Sequence, residues 1–365
     1  MVNIWKPKII DRYIVKKFLL TFFIALILII GIVIIFDLSE KIDNFVKNEA
    51  PLKAIVFDYY VNFIPYFMNM FSPLFVFITV IFLTSRMAAN TEIIAILSGG
   101  ISYHRMMVPY LMSAGLVMLI SLGLNLYVIP NANEERVAFE QKYNKARSYN
   151  GTRNVHYQVA PGQFVYIESF SNWNKTAYQM TIETIEDHKL VSKLTAETAA
   201  WDSVNACWKL RNYFIRDYTR GLQDRVRSGV QLDTTIALNI DDFYRNAETM
   251  ETLPIGELNE LIKTQKLRGD ANVMLTQIEK TRRYALPFSA LILTIIGVSL
   301  SSRKKRGGIG WNIGLGIALA FSYILFLRFS EMFVYTNTLP PGIALWLPNV
   351  LYAGIAAFLY VRAPK

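Results

Sequence analysis

The chain has 365 residues, of which 53% are hydrophobic and 18% are charged. This composition is more apolar than that of an average soluble domain. The net charge of +10 does not indicate nucleic-acid binding, because the basic residues lie beside apolar runs instead of forming a basic, aromatic-interleaved surface. The single cysteine, Cys207, allows neither an intramolecular disulfide nor a CxxC metal site, and we expect it to be a packed small side chain.

Six apolar runs are each long enough to cross a bilayer as a helix. We predict membrane spans at residues 18–36, 59–83, 106–129, 284–300, 310–334 and 343–361. The first run is too long for a cleaved signal peptide, so we interpret it as a retained span. Pro65 and Pro73 lie inside the second run, where a membrane helix can accommodate them as kinks.

The distribution of lysine and arginine predicts the orientation of these spans. One set of span ends carries Lys6, Lys8, Arg12, Lys16, Lys17, Arg86, Arg105, the RKKR run at 303–306, Arg362 and Lys365. The short loops on the other side carry only Lys41, Lys47 and Lys53. Since cytoplasmic loops hold the excess of basic residues, we expect both termini in the cytoplasm and the long insert after the third span outside.

The insert between the third and fourth spans has the pattern of strands. The segments FVYIESF, YQMTIETI, CWKLRNYFIRDY and TTIALNI alternate apolar and polar residues and are rich in β-branched and aromatic types. They predict an antiparallel sandwich or jelly roll. A helical pattern follows, and the first helix has Leu258, Leu261, Ile262 and Gln265 on one face. After a break at 268–270, a second helix enters the fourth span.

Several kinds of chemistry have no motif in this chain. The sequence contains no GxxxxGK[ST], no HExxH and no GxSxG motif. His104, His156 and His188 lie in different segments, so a histidine metal cluster is not expected. Carboxylates are nearly missing from the spans, whereas proton-coupled carriers usually keep them there. If the protein transports a substrate, the energy must come from a partner.

A segment between the second and third spans, TEIIAILSGGIS at 91–102, is too short to cross a bilayer. Thr91 stands where an N-cap residue would lie, and Gly99-Gly100 predicts the end of a helix. The apolar residues fall on one helix face, and they are Ile93, Ile94, Ile96 and Leu97. We therefore predict a short amphipathic helix on the cytoplasmic side.

This helix has two interpretations. It can dock into a groove of a partner protein, or it can lie on the lipid surface, where its polar face should be basic. The polar residues are Asn90, Thr91, Glu92 and Ser98, none of which is basic. The residues therefore favour docking to a protein.

At this point the sequence resembles a known family. NTEIIAILSGGIS, in this position, closely resembles the coupling helix of the lipopolysaccharide export permeases, the LptF/LptG (YjgP/YjgQ-like) family. The resemblance covers essentially the whole chain and rests on motifs that occur in the family's order: DRYI at 11–14, GQFVYIES, CWKLRNYFIRDY, LPIGELNELI and RRYALPFSALILTIIGVSLS. The compact length and the DRYI start resemble the LptG branch more than the LptF branch.

The resemblance implies an α-helical polytopic membrane protein with six transmembrane helices and an inserted periplasmic all-β jelly-roll domain. It places the first three spans in 1–130, with the coupling helix at about 90–100. The jelly roll would occupy 131–255, two connecting periplasmic helices 256–283, and the last three spans 284–365. Gly310-x-x-x-Gly314 with Gly316 permits close helix packing, which in this family would contribute to the contact between two permeases.

The resemblance also implies partners and a role. The chain would be the permease subunit of an ABC-type lipopolysaccharide exporter in the inner membrane of a Gram-negative bacterium, and not itself an enzyme. It would pair with a homologous permease, and its coupling helix would sit in a groove of a cytoplasmic ATPase dimer that binds ATP and Mg²⁺. This chain would hold no cofactor. A single-span accessory jelly-roll protein and a periplasmic bridge protein complete the expected partners.

The family's coupling-helix glutamate matches Glu92, and we expect it to contact the ATPase. The other interpretation is that Glu92 only stabilises a helix N-terminus through the helix dipole. Neighbouring residues expected at the same contact are Ile93, Ile96, Leu97, Ser98 and Gly99. Arg86 and Arg105 flank the helix, and topological anchoring is favoured over partner contact for both.

Four residues are candidates for contact with substrate phosphates. Lys41 resembles one of the lysines that end the family's first span, although Asp37, Glu40 and Asp43 surround it, so an ordinary solvated lysine is an equal alternative. Arg136 follows the third span, but its register with the family's arginines is open. Arg328 and Glu331 lie in the fifth span, where they either contact substrate or pair with each other on one helix face.

Two other functions remain compatible with the sequence. The first is an ABC permease for another envelope lipid or for a lipoprotein. The second is a membrane scaffold whose external β domain binds a partner. Association with a cytoplasmic ATPase would separate transport from the scaffold.

Overall fold

We describe a computed structural model of the chain. It describes all residues except 1–8, 145–152, 172, 206, 219–223, 237, 239–242, 244–246, 271, 303–307 and 364–365. The RKKR run at 303–306, used above for orientation, therefore lies outside the described residues, as do Lys6, Lys8 and Lys365. The chain divides into two compact units, a helical unit of Met1–Arg136 with Gln277–Lys365 and a β unit of Val137–Thr276.

Nine helices are described in chain order. They are α1 (Ile9–Lys47), α2 (Leu52–Ala89), α3 (Glu92–Ser98), α4 (Tyr103–Tyr143), α5 (Ala247–Thr252), α6 (Ile255–Arg268), α7 (Val273–Ser301), α8 (Gly308–Tyr335) and α9 (Pro341–Arg362). Among the described residues, six of them (α1, α2, α4, α7, α8 and α9) are long and apolar enough to cross a membrane. The prediction of six spans is confirmed. The helices extend beyond the predicted runs because an apolar run measures membrane thickness and not helix length.

The helical unit is held together by stripes of buried apolar residues. On α1, Ile14, Phe18, Phe22 and Leu26 recur every four residues and are all nearly inaccessible. They pack with residues of α2 and α4 in one hydrophobic cluster. The opposite face of α1 exposes apolar residues such as Ile27, which is 66% exposed, as expected for a helix face in lipid.

Close approach of helices depends on two glycines. A Cβ atom added to Gly316 of α8 would lie 2.0 Å from Cδ1 of Ile81 on α2. A Cβ added to Gly297 of α7 would lie 2.8 Å from Cγ1 of Val80, also on α2. A Cβ at Gly310 or Gly314 would meet nothing within 4 Å. Gly316 is therefore the member of the predicted glycine pattern that packs within this chain.

A polar chain crosses the apolar interior of the helical unit. Pro287 of α7 has no N–H for the carbonyl of Arg283, and Asn125 of α4 donates its Nδ2 to that carbonyl at 3.3 Å. Asn69 of α2 donates to Asn125 Oδ1 at 2.6 Å and accepts from Ser121 Oγ at 2.5 Å. These bonds satisfy polar groups that the bilayer could not, and they connect three helices.

The β unit contains six strands in the described residues. They are β1 (Arg153–Ala160), β2 (Gln163–Ser171), β3 (Thr176–Glu186), β4 (Lys189–Asp202), β5 (Cys207–Asp217) and β6 (Arg225–Thr234). Each strand pairs antiparallel with the next, so the sheet order is β1-β2-β3-β4-β5-β6. The predicted all-β insert is confirmed. Its described strands form one meander sheet, and not two sheets facing each other.

Three of the four predicted strands are present, and the fourth is wrong. FVYIESF, YQMTIETI and CWKLRNYFIRDY lie in β2, β3 and β5. TTIALNI begins at the last residue of β6, and its described residues Thr235, Ile236 and Leu238 are not in a strand. Leu238 instead lies in the core, where its carbonyl accepts a hydrogen bond from Trp208 Nε1 at 3.0 Å. Its alternating pattern reflects burial beneath the sheet and not membership of it.

The same core is rich in aromatic side chains. Phe170 and Phe243 stack with ring centroids 4.2 Å apart, and Trp208 is fully buried beside them. Cys207 is buried and is not in a disulfide, as expected for a packed small side chain.

The helical segment after the sheet is confirmed. α6 buries Leu258, Leu261, Ile262 and Gln265, which is the predicted face. It ends at Gly269, whose φ of 63° is the left-handed conformation that glycine adopts most readily. α7 then begins at Val273, as the predicted break required.

We predict that Gly316→Ala lowers the free energy of unfolding by about 1–3 kcal/mol, because the new methyl group overlaps the buried Ile81 side chain. Thermal unfolding of the detergent-solubilised protein measures the effect. Gly314→Ala is the matched control, since its methyl group enters open space on the same helix. Equal stability of the two variants would contradict close packing at Gly316.

Candidate functional site

The short helix α3 begins at a tight turn and not at a side-chain cap. Thr91 has a φ of 61°, and its hydroxyl donates to the Asn90 carbonyl at 2.6 Å. It makes no capping hydrogen bond to α3, so the prediction of Thr91 as an N-cap is wrong. The left-handed backbone at Thr91 accounts for this, because N-cap residues have an extended backbone.

The predicted glycine stop of α3 is confirmed. Gly100 has a φ of 82°, and its N–H donates to the Leu97 carbonyl at 3.0 Å. The N–H of Ile101 donates to the Ile96 carbonyl at 3.3 Å. These two bonds form a Schellman motif, whose left-handed position favours glycine.

The residues predicted to contact an ATPase differ in exposure. Ile93 is 1% exposed, and Ile96 and Leu97 pack partly buried against the cluster that contains Ile14 of α1. Ser98 and Gly99 are exposed, and Glu92 is half-buried. Ile94, which was not among the residues predicted to contact an ATPase, is 51% exposed. The helix therefore uses part of its apolar face to attach to the helical unit and keeps Ile94, Ser98 and Gly99 at the surface.

Glu92 contacts the beginning of α1. Its Oε2 accepts a hydrogen bond from the Tyr13 hydroxyl at 3.0 Å, and its Oε1 accepts one from Asn90 Nδ2 at 3.3 Å. Lys17 Nζ lies 3.9 Å from the same Oε1 and also bonds the Tyr13 hydroxyl. The side chain of Glu92 is still 28% exposed, so one edge of the carboxylate can accept a further donor.

Arg105, at the start of α4, binds Asp11 of α1. Its Nη1 and Nη2 donate to Asp11 Oδ1 at 2.7 Å and Oδ2 at 2.5 Å. Asp11 is 4% exposed and the Arg105 side chain is 20% exposed, so the pair is a partly buried, two-pronged contact of the kind that arginine forms best. Arg86, the other arginine near α3, is exposed.

These contacts define one end of the helical unit. His104 Nδ1 lies 3.0 Å from the Tyr360 hydroxyl of α9, and Tyr103 donates to Ser299 Oγ of α7 at 3.4 Å. The starts of α1 and α4, the ends of α7 and α9, and α3 therefore meet at this end, which we call the α3 end. The remaining candidates lie at the opposite end.

Lys41, near the end of α1, is in a buried cluster. Its Nζ lies 2.8 Å from Asp37 Oδ1 and also bonds the Tyr59 hydroxyl of α2. Tyr59 in turn donates to Asp37 Oδ2 at 2.9 Å. Lys41 is only 9% exposed. Asp37 therefore offsets its charge in this structure.

Arg136 is also buried, at 8% exposure. Its Nε donates to Asn133 Oδ1 at 3.2 Å, and its guanidinium lies 5.3 Å from the centre of the Tyr66 ring. This aromatic contact is favourable for a guanidinium group.

Arg328 and Glu331 belong to a larger network that joins α7 to α8. Arg328 Nη1 donates to Glu331 Oε2 at 3.1 Å, which is the pair that the three-residue spacing allows. Arg282 Nη1 of α7 lies 3.8 Å from Glu331 Oε1, and Arg282 also bonds Glu279. Arg283 Nε donates to Glu279 Oε1 at 2.9 Å.

The members of this network differ in exposure. The side chain of Arg328 is 60% exposed, whereas that of Glu331 is 9% exposed. Arg328 is therefore the cation that this network presents to its surroundings. Glu279, Arg282 and Arg283 were not predicted as site residues, although their three- and four-residue spacing just before the fourth span is a recognisable signal.

No group of three or more histidine, cysteine, aspartate or glutamate side chains that could hold a metal ion is found within the part of the chain that the structure describes.

We predict that Arg282→Met destabilises the protein by about 3 kcal/mol, because it removes the cation between two buried carboxylates. Arg328→Met is the matched control, and we expect less than about 1 kcal/mol for this exposed arginine. Chemical denaturation in detergent compares the two. A larger loss for Arg328→Met would contradict the assignment of Arg282 as the link between α7 and α8.

Six apolar helices with an inserted antiparallel sheet, and charged clusters at the ends of the helical unit, define a polytopic membrane protein with a β domain. The sequence model of the family described as lipopolysaccharide export system permease LptF/LptG matches residues 12–362. The chain therefore belongs to this family and is a lipopolysaccharide export permease, a multi-pass transport subunit of the inner membrane. The match does not distinguish the LptF from the LptG branch. A comparison with curated proteins finds no significant match.

Proposed function

We propose that this permease works in an ABC-type exporter whose energy comes from a separate ATPase dimer that binds ATP and Mg²⁺. The observation that carries the proposal is the placement of α3. The helix is fixed to the helical unit through Ile93, which is 1% exposed, while Ile94 is 51% exposed. A short helix with one buried and one exposed apolar side can receive force from a partner's groove and pass it to the bundle.

The α3 end faces the cytoplasm in this proposal. The distribution of basic residues supports it, since Arg12, Lys16, Lys17, Arg86 and Arg105 all lie near this end. The start of α1 and the end of α9 would then both be cytoplasmic. The β unit would be periplasmic, where it could receive lipid from the helical unit.

At the opposite end, we propose that the substrate enters laterally from the outer leaflet into a cavity shared with a homologous permease. Closure of the ATPase would narrow this cavity and move the lipid toward the β unit. A sheet with two edge strands, β1 and β6, can extend to a similar sheet in a bridge protein by strand addition. A single-span accessory protein would complete the assembly. The LptG branch stays a prediction.

Arg328 is the candidate cation that we favour for a substrate phosphate. Its side chain is 60% exposed. Lys41 and Arg136 are 9% and 8% exposed, and each already contacts polar or aromatic groups of the chain. They would bind substrate only after a rearrangement. Glu331 would orient Arg328 and not bind the phosphate itself.

We predict that Glu92→Ala weakens binding of the cytoplasmic ATPase at least tenfold, because a charge-assisted hydrogen bond is worth about 1.5–3 kcal/mol. The amount of ATPase that co-purifies with the permease from membranes measures this. Glu40→Ala is the matched control, since Glu40 is an exposed glutamate of α1 at the opposite end. A permease that assembles stably without any ATPase would overturn the exporter proposal and favour a scaffold.

We predict that a photo-crosslinking residue at position 328 forms an adduct with lipopolysaccharide in membranes. Position 311 is the control, because Trp311 is also exposed, at 61%, near the other end of α8. A residue at position 41 should give a weaker adduct, since Lys41 is buried. The absence of adducts at both 328 and 41 would leave these cations with structural roles alone.

A further inference from the structure

The first turns of α1 contain residues whose contacts converge on α3. Tyr13 binds Glu92, the first residue of α3, and Asp11 binds Arg105, in the first turn of α4. Ile14 is fully buried in the cluster that also contains Ile93 of α3. Part of the DRYI motif therefore holds α3 and the helix that follows it.

The contact between Tyr13 and Glu92 is strengthened by a cation. The Tyr13 hydroxyl donates to Glu92 Oε2 at 3.0 Å and accepts a hydrogen bond from Lys17 Nζ. Lys17 Nζ also lies 4.0 Å from the centre of the Tyr13 ring and 3.9 Å from Glu92 Oε1. A donor that itself accepts from a cation is polarised, so the bond to the carboxylate is stronger than that of an isolated phenol.

The second contact fixes the direction of α1. The Asp11–Arg105 pair has two parallel hydrogen bonds, of 2.7 and 2.5 Å, and such a pair restrains orientation as well as distance. Asp11 is 4% exposed, so breaking the pair would leave a buried charge without its partner. A movement of the start of α4 therefore also moves the start of α1. The turn at Gly99–Ser102 joins α3 to the start of α4.

Among α1, α2 and α4, only α1 is a regular helix without a proline or a π-helical segment. α2 contains Pro65, Pro73 and a π-helical segment at Ile55–Tyr60. α4 contains Pro109 and a π-helical segment at Leu124–Val128. Prolines and π-helical segments are the usual sites of bending, whereas the 39 residues of α1 form a regular helix about 58 Å long. A displacement at α3 is therefore passed to the opposite end most directly by α1.

We propose that Tyr13, Lys17 and the Asp11–Arg105 pair form a linkage that transmits the movement of α3 to α1, and through α1 to the cluster of Lys41, Asp37 and Tyr59. The inference rests on the proposed function, in which an ATPase moves α3. These residues position the start of α1 and transmit the movement of α3 to it; they do not contact the substrate. Glu92 contributes to both contacts, since its carboxylate is held by Tyr13 and Asn90 and its side chain is still 28% exposed to a partner.

The linkage predicts that transport can be lost while ATP hydrolysis is kept. Tyr13→Phe removes only the hydroxyl, and Tyr13 is 41% exposed, so the variant should fold. In proteoliposomes that contain the complete permease–ATPase complex, we expect ATP hydrolysis and co-purified ATPase within about twofold of wild type. The lipopolysaccharide released per ATP should fall at least fivefold, with an unchanged Tm. Arg105→Lys should also keep ATP hydrolysis while lipopolysaccharide release falls, since lysine keeps the charge and loses the two parallel hydrogen bonds.

Tyr360→Phe is the control, because it removes a hydroxyl at the same end that binds His104 and not α3; it should transport like wild type. Normal release per ATP in Tyr13→Phe and Arg105→Lys would overturn the linkage while leaving the exporter intact. A parallel loss of Tm, assembly and hydrolysis in both variants would also overturn it, since the contacts would then be structural only. A wild-type complex without an ATPase would overturn the proposed function, and the linkage with it.

Discussion

Charge compensation within the chain determines how both ends of the helical unit are built. Carboxylates and guanidinium groups are costly next to apolar surroundings unless each has a partner. Asp11 is therefore paired with Arg105, Lys41 with Asp37, and Glu331 with arginines of two helices. All of these pairs except Lys41–Asp37 include a contact between different helices. The bonds that neutralise charge therefore also fix which helices meet. Even Lys41 reaches α2 through Tyr59.

The two ends use this principle differently. At the α3 end the pairs surround a short helix whose exposed side remains available, which suits a place where another protein applies force. At the opposite end the pairs are more buried, except that Arg328 extends outward from its network. In the proposed exporter, the α3 end would contact the ATPase and the opposite end would contact an anionic group, and the regular helix α1 runs between them.

The sequence predicted well what depends on local pattern. Six apolar runs gave six helices, the face of α6 was correct to the residue, and Gly100 ended α3 as expected. The failures have a common cause. Thr91 was assigned as a cap although its backbone is left-handed, and TTIALNI was assigned as a strand although Leu238 packs under Trp208. In both, the residue types fit more than one local structure; a left-handed turn excluded the cap at Thr91, and packing against the distant Trp208 placed Leu238 in the core.

By itself, the sequence determined the class of protein, the number of spans, the inserted β unit and the short helix between the second and third spans, because these follow from hydrophobic periodicity and turn residues. Only the tertiary structure decided which charges meet. Tyr13 and Glu92 are far apart in sequence, as are Asp11 and Arg105, and Arg282 and Glu331. No spacing rule relates such residues. Their contacts arise when helices pack, and the cost of an unpaired charge in an apolar environment then holds them together.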